Sequence, residues 1–207
     1  MPESAQEFYA RVHALEPLAT PGIVEWSAFP WEVRNGALVP RPVSPPAPEK
    51  PRVGEQDCPG CSPSPQSVIW SNDLWRVRAM PASGLPLVLI LEPVEHLDLP
   101  HLDDDQASEW GRLAARLTRI VESLPNVARC HSGRWGDGAE HLHTWFFARI
   151  EGIESTKGSL AIEWDDILPP APADIRERDL AEVARKLATH EGSALTEAPP
   201  GQGVTRG

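Results

Sequence analysis

The sequence predicts an α+β fold: a mainly antiparallel sheet of about five strands with one main helix packed on it, and extensions at both ends. Three stretches carry that prediction. The run Leu85–Leu91 is continuously apolar between Gly84 and Pro93, as a strand buried on both faces requires. Behind an acidic cap at Asp103 or Asp104, Ala107, Trp110, Leu113, Leu117, Ile120 and Leu124 recur at helical spacing. The stretch Arg134–Arg149 runs from a Gly-rich turn into a strand, on which His141, His143 and Trp145 share one face.

In chain order, Ser4-Ala-Gln-Glu7 spells a capping box, and Phe8, Val12 and Leu15 follow at helical spacing until Pro17. Residues 20–39 carry Trp26, Phe29 and Trp31 between turn residues and are expected to lie on the main domain. Nine prolines from Pro40 to Pro65 rule out a sheet or helix interior, so this is an extended linker whose far end holds Cys58-Pro-Gly-Cys61. Val68–Trp70 and Leu74–Val77 are strands joined at a tight turn around Asn72-Asp73. Pro125 stops the main helix, and Val127–Cys130 and Glu140–Arg149 are strands, with Leu160–Trp164 read as another. A last helix, capped by Asp174, has a thin stripe of Ile175, Leu180, Val183 and Leu187 and is expected on the domain surface. Gly192–Gly207 has the polar, Gly- and Pro-rich composition of a disordered tail. The expected divisions are therefore 1–56, helix and Pro-rich extension; 57–168, sheet domain; 169–191, C-terminal helix; and 192–207, tail.

With 207 residues and 41% apolar content, the chain can bury a core. Its net charge of −11 argues against a nucleic-acid partner, which wants a basic face, but local arginines still suit a small phosphorylated ligand. Met1–Leu18 lacks the basic and apolar regions of a signal peptide, and no apolar run approaches the roughly 20 residues that span a bilayer. Three cysteines, two in a C-x-x-C, fit a reducing compartment. The expectation is a cytoplasmic protein with no membrane partner.

Two histidines two apart beside an apolar strand are hard to place as packing, because each buried imidazole needs a hydrogen-bond partner or a metal. A C-x-x-C brings two thiolates to one point, as a tetrahedral ion requires. His141 begins the strand pair, and His96 follows the buried strand. The expected site is Cys2His2 zinc from Cys58, Cys61, His96 and His141. A redox dithiol wants a helix N-terminus behind the motif, which Ser62-Pro-Ser-Pro65 forbids; unpaired cysteines are the remaining reading. His101 reads as a surface residue, Cys130 as a small strand hydrophobe, and the run Asp103–Asp105 as a helix start rather than a cation site.

With these residues in view, the chain resembles the histidine-triad superfamily, and in particular its zinc-bearing branches, which include galactose-1-phosphate uridylyltransferases. The family pattern His-x-His-x-His, then apolar residues and an Arg, compares with His141-Leu-His143-Thr-Trp145-Phe-Phe-Ala-Arg149. Gly84 to His96 resembles the family's glycine, buried strand and proline segment, and the likeness spans roughly Asp57 to Ile150. It implies that Cys58, Cys61, His96 and His141 bind zinc as a structural ion. It makes His143 the nucleophile that forms a nucleotidyl-histidine from the α-phosphate of a nucleotide conjugate. Arg134 and the turn Gly136-Asp137-Gly138 would hold phosphate oxygens, with Trp145 against the substrate. Because members are often two-fold dimers through the main helix, Trp110 and Leu113 are expected at such an interface.

The departures are specific. Trp145 replaces the third His, and an indole cannot transfer a proton. Asp137 stands where a Gln is common, and the ribose-binding Asn has no counterpart near Val77–Met80. The leading reading is a nucleotidyl hydrolase or transferase. The alternative is a catalytically reduced nucleotide-binding module stabilised by structural zinc. A third reading treats Pro40–Pro51 as a docking segment for partner proteins.

Overall fold

An apolar strand at the centre of a sheet needs cover on both faces, and the architecture meets that need with helices from both ends of the chain. The computed structural model describes residues 1–15, 17–26 and 28–196. In chain order they form α1 (Ala5–His13), β1 (Trp31–Arg34), β2 (Ala37–Pro40), β3 (Val68–Ser71), β4 (Trp75–Ala79), β5 (Val88–Pro93), α2 (Asp104–Glu122), β6 (Val127–Gly133), β7 (Thr144–Ile150), α3 (Leu160–Ile167), α4 (Ala173–Ala188) and β8 (Ser193–Ala194). The main sheet runs β6-β7-β5-β4-β3-β8 with every neighbouring pair antiparallel. The fold class is α+β, as the sequence predicts, and β5 is buried along its whole length.

Register sorts the side chains. Val77, Leu89, Leu91, Phe146 and Ala148 fall on one face, where α2 and α4 supply Leu113, Leu117, Val121, Val183, Ala184 and Leu187. Each large aliphatic side chain buried there is worth about 1.5–3 kcal/mol. The opposite face carries Arg76, Arg78, Ile90, Glu92, Trp145 and Phe147. One half of it is closed by Phe8 of α1 and by Leu168 after α3, packed with Leu85, Val88, Phe147 and Ile150. The other half, where β5 ends and β7 begins, is left to the segment that carries Cys58 and Cys61.

The local signals act as expected at several points. Ser4 and Glu7 form the capping box of α1, and Asp103 and Gln106 form that of α2. The Asn72 carboxamide oxygen accepts from the Leu74 and Trp75 amides at 3.0 and 2.7 Å, which closes the β3–β4 turn. Among the described residues, no helix is long and apolar enough to cross a membrane.

Other elements differ from expectation for identifiable reasons. Leu160–Ile167 is a helix rather than a strand: Leu160 is exposed, while Ala161, Asp165 and Leu168 turn inward at helical spacing. Helix α4 is part of the core, because Ala181 and Ala184 let it lie close to the sheet; its N-cap is Pro172, and Asp174 pairs with Arg178 instead. Gly192 adopts φ +68°, and a Cβ there would lie 2.5 Å from the Ser71 carbonyl oxygen. Only glycine makes that turn, so Ser193 and Ala194 return to pair with β3 where the tail was expected to begin. The rest of that tail, 197–207, lies outside the described residues. Residues 31–40 form a separate hairpin on an Asn35-Gly36 turn, both at positive φ, with Val33 and Leu38 exposed. Trp110 and Leu113, expected at a dimer interface, face inward: Leu113 is buried, and the Trp110 indole donates to Thr144 Oγ1 at 3.1 Å.

Candidate metal centre and cleft

The Cys58-Pro-Gly-Cys61 turn folds against the end of β5 and the segment just before β7. Cys58 Sγ and Cys61 Sγ each lie 3.5 Å from His141 Nδ1, and Cys61 Sγ lies 3.2 Å from His96 Nδ1. All four donor atoms fall within 4.8 Å of one another. Bonds of ~2.3 Å to sulfur and ~2.0 Å to nitrogen at tetrahedral angles would separate S and N by roughly 3.5 Å, so the residues present fit such an ion. The tautomer agrees: His141 Nε2–H donates to the Pro93 carbonyl at 3.0 Å, which leaves Nδ1 unprotonated toward the sulfurs. Burial holds the His141 imidazolium below its usual range, favouring the neutral ligand form. Burial and the neighbouring Cys58 push the Cys61 thiol up to about 11, so the two sulfurs resist ionising together without a cation. Gly60 makes the approach sterically feasible, since a Cβ there would stand 3.0 Å from the His141 ring.

The arm is stitched on by more than its cysteines. Val53 bridges Ala139 in parallel, with its amide donating to the Gly138 carbonyl at 2.8 Å and its carbonyl accepting from Glu140 at 2.9 Å. Arg52 donates to Asp98 at 2.6 Å. The far end of the Pro-rich stretch is therefore docked rather than a loose linker.

Strand β7 begins at Thr144, so His141 and His143 lie in the extended segment leading into it, not on the strand. The two-residue period persists there, and both imidazoles line a cleft of about 330 Å³ with Trp145. His143 Nδ1–H donates to its neighbour's carbonyl, that of His141, at 2.7 Å. The other nitrogen, Nε2, is left as the ring's lone-pair donor. Of the expected substrate residues, Gly138 and Trp145 also line the cleft; Arg134, Gly136 and Asp137 do not. Arg134 is held by Asp98 at 2.6 Å, and the Gly136 carbonyl accepts from Arg52. Trp145 stacks on Phe147 at 5.8 Å between centroids, which fixes its plane.

Two buried carboxylates absent from the sequence reading organise this region. Glu92, fully buried, accepts from Arg76 Nε at 2.6 Å and from Arg78 Nε and Nη2, both at 2.8 Å. Arg76 also donates to the Gly60 carbonyl, tying the cysteine turn to the sheet. Asp98 accepts from Arg52, Arg134 and the Leu99 amide. Burial alone would raise its pKa, but the Arg52 and Arg134 hydrogen bonds outweigh it and hold the carboxyl at about 2. The available sequence signal was a charge inside an apolar run, which cannot stay buried unpaired.

No family model matches this sequence, and no curated protein does. Solved structures are similar to it at low identity. One is a histidine triad protein from Bradyrhizobium japonicum, 19% identical with a TM-score of 0.47, covering 58% of this chain and 91% of that one. Another is a Zn-bound histidine triad family protein from Mycobacterium smegmatis, 13% identical with a TM-score of 0.47, covering 66% of this chain and 96% of that one. A third is a hypothetical histidine triad nucleotide-binding protein from Sulfolobus tokodaii strain 7, 10% identical with a TM-score of 0.44, covering 59% and 84%.

Proposed function

We propose that this protein is a zinc-containing nucleotidyl hydrolase or transferase of the cytoplasm, acting on the α-phosphate of a nucleotide conjugate through His143. The observation that carries the reading is the His143 Nδ1–H bond to the His141 carbonyl beside a cleft of substrate size. That bond leaves Nε2 to attack phosphorus. The P–Nε2 bond forms as the bond to the leaving oxygen breaks, and the carbonyl stabilises the positive charge gained by the ring. Water or another acceptor then takes the nucleotidyl group from Nε2 and restores the imidazole. Zinc held by Cys58, Cys61, His96 and His141 would have no open position for substrate, and its part would be to hold His141 and the arm in place.

A covalent trap tests this. Wild-type protein is incubated with α-phosphate-labelled nucleotide sugars and dinucleoside polyphosphates, then quenched in alkali, where phosphohistidine survives. The expected result is label on wild-type protein and none on His143→Ala. Label that persists in His143→Ala would refute the proposal. Absence of label and product in folded, zinc-loaded protein would favour the binding-module reading, which the proton-incompetent Trp145 motivates.

A further inference from the structure

The expected phosphate cation, Arg134, is occupied by Asp98. The guanidinium that does line the cleft with His143 and Trp145 is Arg78. It sits on β4, in register with Ile90, which is in register with Trp145, so the three cross the sheet in one row. At about 4.8 Å per strand, Arg78 and Trp145 stand roughly 10 Å apart at the backbone, a span one nucleotide can bridge.

The charges around Arg78 do not balance. Arg76, Arg78 and Glu92 share one network of two cations and one anion, and Glu92 is fully buried. A tetrahedral zinc with two thiolates and two neutral imidazoles would be neutral and could not offset the surplus. Arg76 is buried and committed to Glu92 and the Gly60 carbonyl. Arg78 binds Glu92 through Nε and Nη2, and its Nη1 donates to nothing among the described residues. The rest of the cleft is largely apolar, through Val53, Ile90 and Trp145. A network with one surplus positive charge and a free Nη1 at such a wall favours an oxyanion at Nη1.

We infer that Arg78, positioned by Glu92, is the phosphate-binding residue of this cleft. This rests on the nucleotide reading of the site but not on turnover. Glu92 holds the guanidinium through two hydrogen bonds, and Arg76 joins that anchor to the cysteine turn, so the anion site and the candidate metal centre share one support. The substrate class is then a nucleotide presenting a phosphate oxygen between Nη1 of Arg78 and His143.

Equilibrium binding of AMP and adenosine decides the matter. Wild-type protein should bind AMP at least about tenfold more tightly than adenosine, with inorganic phosphate competing against AMP only. Arg78→Met should reduce that preference to about twofold or less, while adenosine affinity and zinc content hold; the melting temperature should fall, because Glu92 Oε2 loses its donor. If the methionine variant is unstable, Arg78→Lys keeps the charge but loses the fork and should weaken the AMP preference about threefold to tenfold. Wild-type protein with no AMP preference, or an Arg78 variant that keeps the full preference, would overturn the inference. Neither outcome depends on label at His143: the trap can fail while Arg78 still selects AMP, and it can succeed while Arg78 proves indifferent.

Discussion

The His141 carbonyl can only accept, so the His143 proton resides on Nδ1 and the lone pair on Nε2. On the proposed mechanism, Nε2 is then the attacking atom, and the bond supplies no acid for the leaving group. Among the residues lining the cleft, Glu92 is committed to two arginines, His141 points at the sulfurs, and Trp145 holds no transferable proton. Leaving groups that depart as stable anions, such as phosphates, should therefore be preferred over amines, which need protonation. Trp145→His restores an imidazole at that position. It should raise kcat/KM for a nucleoside phosphoramidate relative to a nucleotide sugar by at least about tenfold, the low end of what a positioned acid gives. An unchanged ratio would show that leaving-group protonation is not what Trp145 withholds. Gly60 is a second single-residue test. Its Cβ contact with the His141 ring would strain a ligand already fixed by the Pro93 carbonyl. Gly60→Ala should weaken zinc affinity about 10–100-fold in a chelator competition, on the scale of lost outer-shell support.

The shortest helix on the site's side of the sheet is α3, and its anchor is a single carboxylate. Asp165 Oδ1 accepts from the Ser83 hydroxyl and the Gly84 and Leu85 amides, fixing the entry to β5. Asp165→Ala should cost about 1–3 kcal/mol in urea unfolding, the price of leaving such donors unpaired. Burial pushes the carboxyl above its ordinary range, and the Ser83, Leu85 and Gly84 bonds only partly reverse this. A carboxyl that binds its proton more tightly when folded favours the fold when protonated. Its contribution is largest near and below the unfolded value of ~3.9 and declines as pH rises through the raised folded pKa. Wild type should therefore gain stability relative to Asp165→Asn as pH falls toward 4; a constant difference would contradict the assignment. The same helix shows why some elements escape a sequence reading. Leu160, Ile162 and Trp164 alternate like a strand, and only the tertiary demand for Asp165 and Leu168 inward selects the helix. Of the four candidate metal ligands, Cys58 and Cys61 are legible as a local C-x-x-C, and His96 and His141 as histidines flanking the apolar strands β5 and β7. The Arg76–Glu92–Arg78 network is not, because it depends on the register Arg76↔Glu92 and Arg78↔Ile90, which no linear spacing records.

For the molecule as a whole, both apolar clusters are built without any of the described residues between Val12 and Ile69. The sheet and its four helices thus own the core, and the arm from Pro51 to Cys61 is held by the Val53 bridge, the Arg52–Asp98 pair, the Arg76–Gly60 bond and the cluster of Cys58 and Cys61 with His96 and His141. Removing the ion should then release the arm without dissolving the core. At free zinc one hundred times its Kd, the ion contributes ~2.7 kcal/mol, and a chelator should lower the melting temperature by about 5–11 °C for a chain of this size. Limited proteolysis of the chelated protein should cut first between residues 41 and 64, leaving a protected fragment that contains β3 to α4, and zinc should restore protection. Uniform digestion of the chelated protein would mean that the centre supports the whole fold. Because His141 belongs to both the metal centre and the cleft, loss of arm protection should coincide with loss of AMP binding as chelator is titrated. If binding survives after the arm is free, the cleft is held by the sheet alone and zinc serves the arm only.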